Sequence, residues 1–302
     1  MPIECSPATV EEAAAAIRDA GREGRRVSID REGADVVLST RRLDRVLEHE
    51  AGDLTCTVEA GIRLSALNER LAPFGQMLAL DAPGDPTVGA CVAGNLSGPR
   101  RHLYGGPRDL VLGVTVVLGD GTVAHSGGKV VKNVAGYDLG KLFCGSRGRL
   151  GLIARVSLRL HPRPASAGTL VTPLLAAGEA EAKGQIVHRS TLIPAAVDVL
   201  SPDRLALLFE GTSRAVEAQL ALAARLVGGE EDGGVWEEVA ARQLAAKSTL
   251  SVLPWHVPPD DGVTVLRLGA GVAYSSAPAA PVPLPPLLER LRRELDPDSV
   301  LT

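Results

Sequence analysis

Thr9 and Glu12 form a capping-box pattern ahead of an amphipathic run that ends near Ala20, with Gly21 placed to close it. Two short apolar runs, Arg26 to Asp30 and Ala34 to Ser39, predict strands. Leu43 to Leu47 reads as a turn or short helix, and Leu54 to Glu59 alternates like a strand. Apolar residues then recur at helical spacing from Ile62 to Leu71, where Pro73 and Gly75 end the pattern. A short helix is expected near Thr87 or Val88, because Val88, Cys91 and Val92 share one face. Leu110 to Leu118 and Thr122 to His125 predict a hairpin around Gly119-Asp120-Gly121. Asp138 is placed to cap a helix from Leu139 to Cys144, and Leu150 to Leu160 alternates as a half-buried strand. Helices and strands interleave from the start, as in an α+β or α/β fold.

Beyond Pro162 and Pro164 the pattern weakens, and those prolines mark a boundary. Val197 to Leu200 and Leu205 to Phe209 predict paired strands, and Val263 to Leu268 a further one. Arg214 to Val227 is the clearest amphipathic helix, closed by Gly228-Gly229. Residues 277 to 286 are a proline-rich connector ahead of a charged helix, Leu287 to Leu295. The chain thus divides into 1–164, 165–276 and 277–302.

Composition narrows the partners. At 302 residues, 45% apolar and 23% charged, the chain can build two well-developed cores, mostly from aliphatic residues since aromatics are only 3%. A net charge of −4 gives no electrostatic footprint for nucleic acid, and the Arg22, Arg25, Arg26 cluster reads as a solvated face. Cys5, Cys56, Cys91 and Cys144 are dispersed, which fits a reducing compartment and rules out an iron–sulfur cluster held by this chain alone. Charges bracket the first apolar stretch too closely for a secretory signal, and the longest apolar run is too short to span a bilayer. The expectation is a cytoplasmic protein without direct membrane insertion, meeting a membrane only through partners.

Residues 127 to 153 carry three of the five lysines (Lys129, Lys132, Lys141) and glycines at 127, 128, 136, 140, 145, 148 and 151. Glycine accumulates where backbone takes positive φ or closely approaches another group. The segment is neither G-x-G-x-x-G nor a P-loop. A second small-residue stretch, Pro83-Gly84, Thr87 to Ala90, Asn95 and Gly98, has the same character. Two such stretches suit a large planar ligand with a phosphate-bearing tail.

The segments DAPGDPTVGACVAGNLSGPRRHLYGGPRDLVLGVTVVLGDGTV and GGKVVKNVAGYDLGKLFCGSRGRLGLIARVSLRLHPRP resemble the FAD-binding subunit of bacterial glycolate oxidase, in the vanillyl-alcohol-oxidase (PCMH-type) flavoprotein superfamily. Lys132 to Asp138 is the sharpest signature, and Leu295-Asp296-Pro297 with Val300-Leu301 resembles the family's closing segment. The resemblance implies an α+β fold: two α+β subdomains clasping FAD, then a smaller α+β cap or substrate domain. It places Pro83, Gly84, Thr87, Val88, Gly89, Asn95 and Gly98 along the pyrophosphate and flavin, and Gly145, Gly148, Gly151 and Ile153 on the flavin side. It implies oxidation of a small 2-hydroxy acid, or electron relay, in a complex with a sister flavin subunit and an iron–sulfur subunit.

The departures from the family are Ala90, Arg149 and, above all, the loop after the first strand. Relatives wrap the FAD pyrophosphate with a glycine-rich loop there, whereas only Arg31-Glu32-Gly33 separates Asp30 from the strand expected at Ala34. Such a loss weakens or abolishes FAD binding and motivates an alternative, a cofactor-depleted, non-catalytic assembly subunit. Among other candidates, His102 and Tyr104 follow the expected flavin loop, and Arg100 or Arg101 is suited to a substrate carboxylate. No catalytic base and no metal site is assignable.

Overall fold

The computed structural model describes residues 2–128, 140–176, 178–258, 262–278 and 286–302. Lys129, Lys132, the Lys132 to Asp138 signature and the Asp138 cap lie outside them, as does most of the proline-rich connector.

The first module contains β1 (Ile3–Cys5), α1 (Val10–Arg22), β2 (Val27–Ile29) and β3 (Val36–Leu38), with three parallel strands in the order β1-β3-β2. The Thr9 hydroxyl accepts the Glu12 N–H at 3.1 Å, while the Glu12 carboxylate accepts from Ala8, one residue before the cap. Val10, Ala13, Ala14, Ile17 and Ala20 form the buried face of α1. The helix runs past Gly21, because that glycine makes room for Val300: a Cβ there would lie 3.2 Å from its Cγ2.

The second module contains β4 (Val46–Glu50), β5 (Thr55–Glu59), α2 (Leu64–Leu71), β6 (Gln76–Met77), α3 (Val88–Gly94), α4 (Arg101–Tyr104), α5 (Pro107–Leu110), β7 (Val111–Val117), β8 (Val123–Gly127), α6 (Gly140–Phe143), β9 (Leu152–Arg159) and β10 (His161–Pro162). An antiparallel sheet, β4-β5-β9-β7-β8, forms its centre. The β7–β8 hairpin turns as its Asp-Gly pair predicts, with Gly121 at φ +80° and the Asp120 carboxylate accepting the Thr122 N–H at 2.7 Å. The turn or helix expected over Leu43 to Leu47 is instead the approach to β4, whose Val46 pairs with Val58.

The remaining elements are β11 (Ser166–Pro173), α7 (Glu179–Arg189), β12 (Ala196–Leu200), β13 (Arg204–Gly211), α8 (Ser213–Val227), β14 (Glu230–Glu231), α9 (Val235–Ala245), β15 (Ser248–Ser251), β16 (Val263–Arg267), β17 (Val272–Ser275) and α10 (Pro286–Leu295). Seven antiparallel strands run in the order β14-β11-β13-β12-β16-β17-β15. One sheet face packs on α7 and α8 through Leu205, Leu207, Phe209, Val216 and Leu220; the other carries α9 through Val235 and Val239. The paired strands and α8 agree with expectation. The sequence pattern does not show β11, α7 and α9, whose apolar signal is diluted. α7, for instance, buries only Ala180, Gly184 and Val187, and a Cβ at Gly184 would collide with Leu268.

After α10 the chain returns to the first module. Val27 donates to Val300 O at 2.7 Å, and Thr302 donates back to Val27 O. The buried Asp296 carboxylate fixes this return by accepting the N–H groups of Val300 (2.8 Å) and Leu301 (2.9 Å). Asp296→Ala leaves two buried amides unanswered and is expected to cost about 2–4 kcal/mol in chemical denaturation. A loss below about 0.5 kcal/mol, the size of an ordinary surface substitution, would count against this role.

Candidate functional site

Three segments far apart in sequence meet around a cavity of about 210 Å³. Gly89, Ala90, Ala93 and Gly94 form one wall, an α3 face with nothing larger than a methyl group. Its opposite face, Val88, Cys91 and Val92, is buried in the core of the second module. Arg147, Gly148, Gly151 and Ile153 form a second wall, and Ile29, Asp30, Arg31 and Thr40 close the space from the first module. Arg147 also borders a neighbouring cavity of about 280 Å³, lined by Pro83 on one side and by Gln243, Lys247 and Tyr274 on the other.

Of the residues singled out from the sequence, the structure brings Gly89, Gly148, Gly151 and Ile153 to the first cavity and Pro83 to the second. Thr87 caps α3, its hydroxyl accepting from Ala90 at 3.1 Å, and the Val88 side chain is fully buried. Asn95 ends the helix in the left-handed region at φ +51°. Gly84 turns at φ +80° beneath Leu244, and Gly145 turns at φ +84° after α6. Packing explains two glycines that the pattern alone connects with phosphate. A Cβ at Gly89 would sit 2.8 Å from that of Ala60, and one at Gly98 would collide with the Asp81 carbonyl oxygen.

The backbone donors at the start of α3 are already used. Val88 donates to Ile62 O, Gly89 to Ala60 O, Ala90 to the Thr87 hydroxyl and Cys91 to Thr87 O. The β2–β3 connection runs over 30–35, longer than the three residues expected, because β2 ends at Ile29 rather than Asp30 and β3 begins at Val36 rather than Ala34. Its single glycine, Gly33, sits at φ +109° in open space. Asp30, at φ +51°, turns its carboxylate to Thr40, accepting the backbone N–H at 2.9 Å and the hydroxyl at 2.5 Å.

A buried polar seam joins the second module to the seven-stranded sheet. Arg267, with no exposed surface, donates to Ser97 O (3.0 Å), the Gln243 carbonyl (2.5 Å) and the Tyr274 hydroxyl, and faces Asp198 at 3.5 Å. Burial pushes the Asp198 carboxyl up to about 7; Arg267 pulls against that shift and Asp81 adds to it. Asp81 is raised as well, chiefly by burial. Alongside, Glu210 accepts both Arg100 N–H groups (2.6 and 2.9 Å) and the Tyr104 hydroxyl (2.9 Å). Burial, then the Glu210 charge, pushes Tyr104 up to about 12, so it remains a neutral donor.

Arg100 and Tyr104 are therefore committed to Glu210, and Arg101 reaches Asn95 and Ser97. His102 packs edge-on against Trp255, and burial with the nearby His188 depresses its pKa. Cys56 and Cys91, pushed up to about 12 by burial, are neutral packing residues. Sequence reasoning missed the seam. Its signal is a lone charge inside an apolar strand, in AVDVL for Asp198 and TVLR for Arg267.

Residues 3–127 match the FAD binding domain family. Glycolate oxidase subunit GlcE of Escherichia coli (strain K12) is 34% identical over 218 residues, covering 70% of this chain and 60% of that protein. Glycolate oxidase subunit GlcD of Bacillus subtilis (strain 168) is 32% identical over 176 residues, 56% of this chain and 37% of that protein. The D-2-hydroxyglutarate dehydrogenase of Xanthomonas citri pv. viticola is 33% identical over 165 residues, 54% of this chain and 35% of that protein. A solved alkyldihydroxyacetonephosphate synthase superposes with a TM-score of 0.70 at 16% identity, covering 98% of this chain and 75% of that one, a likeness of fold. The chain spans about 60% or less of the length of these sequence relatives. The fold is α+β, and residues 3–127 are the part of the chain that is similar to an FAD binding domain.

Because the folded-state pKa of Asp198 lies above its unfolded value, the native state binds the extra proton between about pH 4 and pH 7. Stability from this group is full at the acidic end and falls as pH rises through about 7. Asp198→Asn should flatten that part of the stability profile in urea titrations at several pH values. An unchanged slope would show that Asp198 does not carry the proton.

Proposed function

We propose that this chain is the FAD-binding subunit of a glycolate oxidase-like 2-hydroxy-acid dehydrogenase complex, with FAD extended along the two cavities that share Arg147. The observation that carries this reading is the convergence of the 83–98 and 145–153 segments on adjoining cavities within one flavoprotein fold. The walls fit such a group. The Gly89, Ala90, Ala93, Gly94 face lets a flat or phosphorylated ligand approach the backbone, and Lys247 offers a donor at the far end. In this assignment Gly89, Gly148, Gly151 and Ile153 contact the cofactor directly. Pro83 and Gly84 border its ring end, while Thr87, Val88, Asn95, Gly98 and Gly145 set the backbone around it.

Bound FAD would supply the redox chemistry, taking a hydride from the α-carbon of a small 2-hydroxy acid. The chain's own residues place the cofactor, and Lys247 is suited to hold a substrate carboxylate by charge. A sister flavin subunit and an iron–sulfur subunit are the proposed partners. Two sequence relatives are named as glycolate oxidase subunits, and the four dispersed cysteines leave cluster ligation to another chain. Among the described residues no helix is long and apolar enough to cross a membrane.

The used α3 amides and the single-glycine 30–35 connection favour a second reading, a cofactor-depleted assembly subunit of the same kind of complex. FAD titration separates the two. On the flavin reading, FAD at a hundred times its Kd stabilises the chain by about 2.7 kcal/mol and raises Tm by about 4 °C. Glycolate or D-lactate would then bleach the flavin absorbance anaerobically in the assembled complex. A chain whose Tm does not move with FAD, and which purifies without flavin, would support the assembly reading instead.

A further inference from the structure

We infer that Arg31 and Arg147 hold the diphosphate of the dinucleotide, doing with two guanidinium groups what a glycine-rich amide loop would otherwise do. The inference rests on the reading that this cavity takes FAD, and goes beyond it by naming the groups that answer the phosphate charge. The two arginines line one cavity, Arg31 from the β2–β3 connection and Arg147 from the segment before β9. Both are exposed, and among the described residues neither guanidinium has a hydrogen bond or an ion pair. Other exposed arginines, Arg70, Arg108 and Arg149 among them, are likewise without a partner among the described residues, so what sets these two apart is that they line one cavity. The carboxylate lining the same cavity, Asp30, is turned to Thr40 and leaves the two positive charges unopposed.

Backbone conformation adds an independent observation. Arg147 is held in the left-handed region at φ +55°, where its N–H donates to Ala93 O at 2.8 Å. An L-residue with a long side chain adopts this conformation at a cost, and such residues concentrate at ligand-binding sites. Asp30 on the facing wall is also left-handed. The backbone amides at the start of α3 are used internally, so a diphosphate carrying about two negative charges needs other donors. Guanidinium groups supply paired N–H donors and full charge to phosphate oxygens.

The test titrates the full chain with FAD, ADP and riboflavin, monitored by calorimetry and flavin fluorescence, for wild type, Arg31→Gln, Arg147→Asn and the double variant. Asparagine at 147 tolerates the left-handed backbone, and an unchanged Tm and riboflavin affinity establish that the variants fold. The expected result is a loss of about tenfold for each single variant and about a hundredfold for the double variant toward FAD and ADP. Riboflavin, which lacks the diphosphate, should bind all four alike. Double-variant affinities for FAD and ADP within about twofold of wild type would overturn the clamp while leaving the flavin reading intact. A wild type that binds ADP but not FAD, with ADP binding lost in the double variant, would keep the clamp and refute the flavin reading. A wild type that binds neither refutes both.

Discussion

A guanidinium removed from water needs partners, and Arg267 draws three hydrogen bonds and an ion pair from separate parts of the chain, its Nε facing Asp198 at 3.5 Å without a hydrogen bond. Asp198 stands opposite it in the β12–β16 register; Tyr274 comes from the next strand and Gln243 from α9. The remaining partner is Ser97 O, in the other half of the molecule. Desolvating such a group costs several kcal/mol, so the arrangement is stable only when every partner is in place. The position of the seven-stranded sheet above the 83–100 segment follows from that requirement. Glu210, gripping Arg100 and Tyr104, fixes the same segment a few residues further on.

This seam bears on the site in two ways. It brings Gln243 and Tyr274 to the second cavity, so that cavity has one wall from each half of the chain. It also concentrates two buried carboxyls, Asp81 and Asp198, near one buried guanidinium, and burial raises the pKa of both. Arg100 and Arg267 both pull against the rise at Asp81, whereas Asp198, pushed up to about 7, has Arg267 alone, so this junction is where the stability of the fold is expected to respond to pH.

Much of the first half was legible because its local signals agree with the final packing. The Thr9 cap, the Val88-Cys91-Val92 face and the Asp120-Gly121 hairpin each rest on chemistry within a few residues. The second half was less legible where tertiary contact replaces pattern. The α7 glycine at 184 makes sense only once Leu268 is seen beside it. The same holds within the site. Gly98 reads as ligand-facing from its neighbours, yet Asp81 occupies the space a side chain would need; Gly89 does line the cavity, but Ala60 is what leaves no room for a Cβ there. Arg100 and Arg101, candidates for an incoming carboxylate, are taken up by protein partners that are distant or invisible in the pattern.

The sequence alone determined the α+β class, the flavoprotein resemblance and the shortage of glycine after Asp30, because these depend on residue types in short stretches. Residue order does not encode which groups are left without partners, and that is what decides a binding site. Only the tertiary structure showed that the α3 amides are used, that Asp30 is satisfied by Thr40, and that Arg31 and Arg147 face one cavity unpaired. Hydrogen bonds and charges are satisfied in space, between segments separated by tens or hundreds of residues, so their balance can be drawn up only on the folded chain.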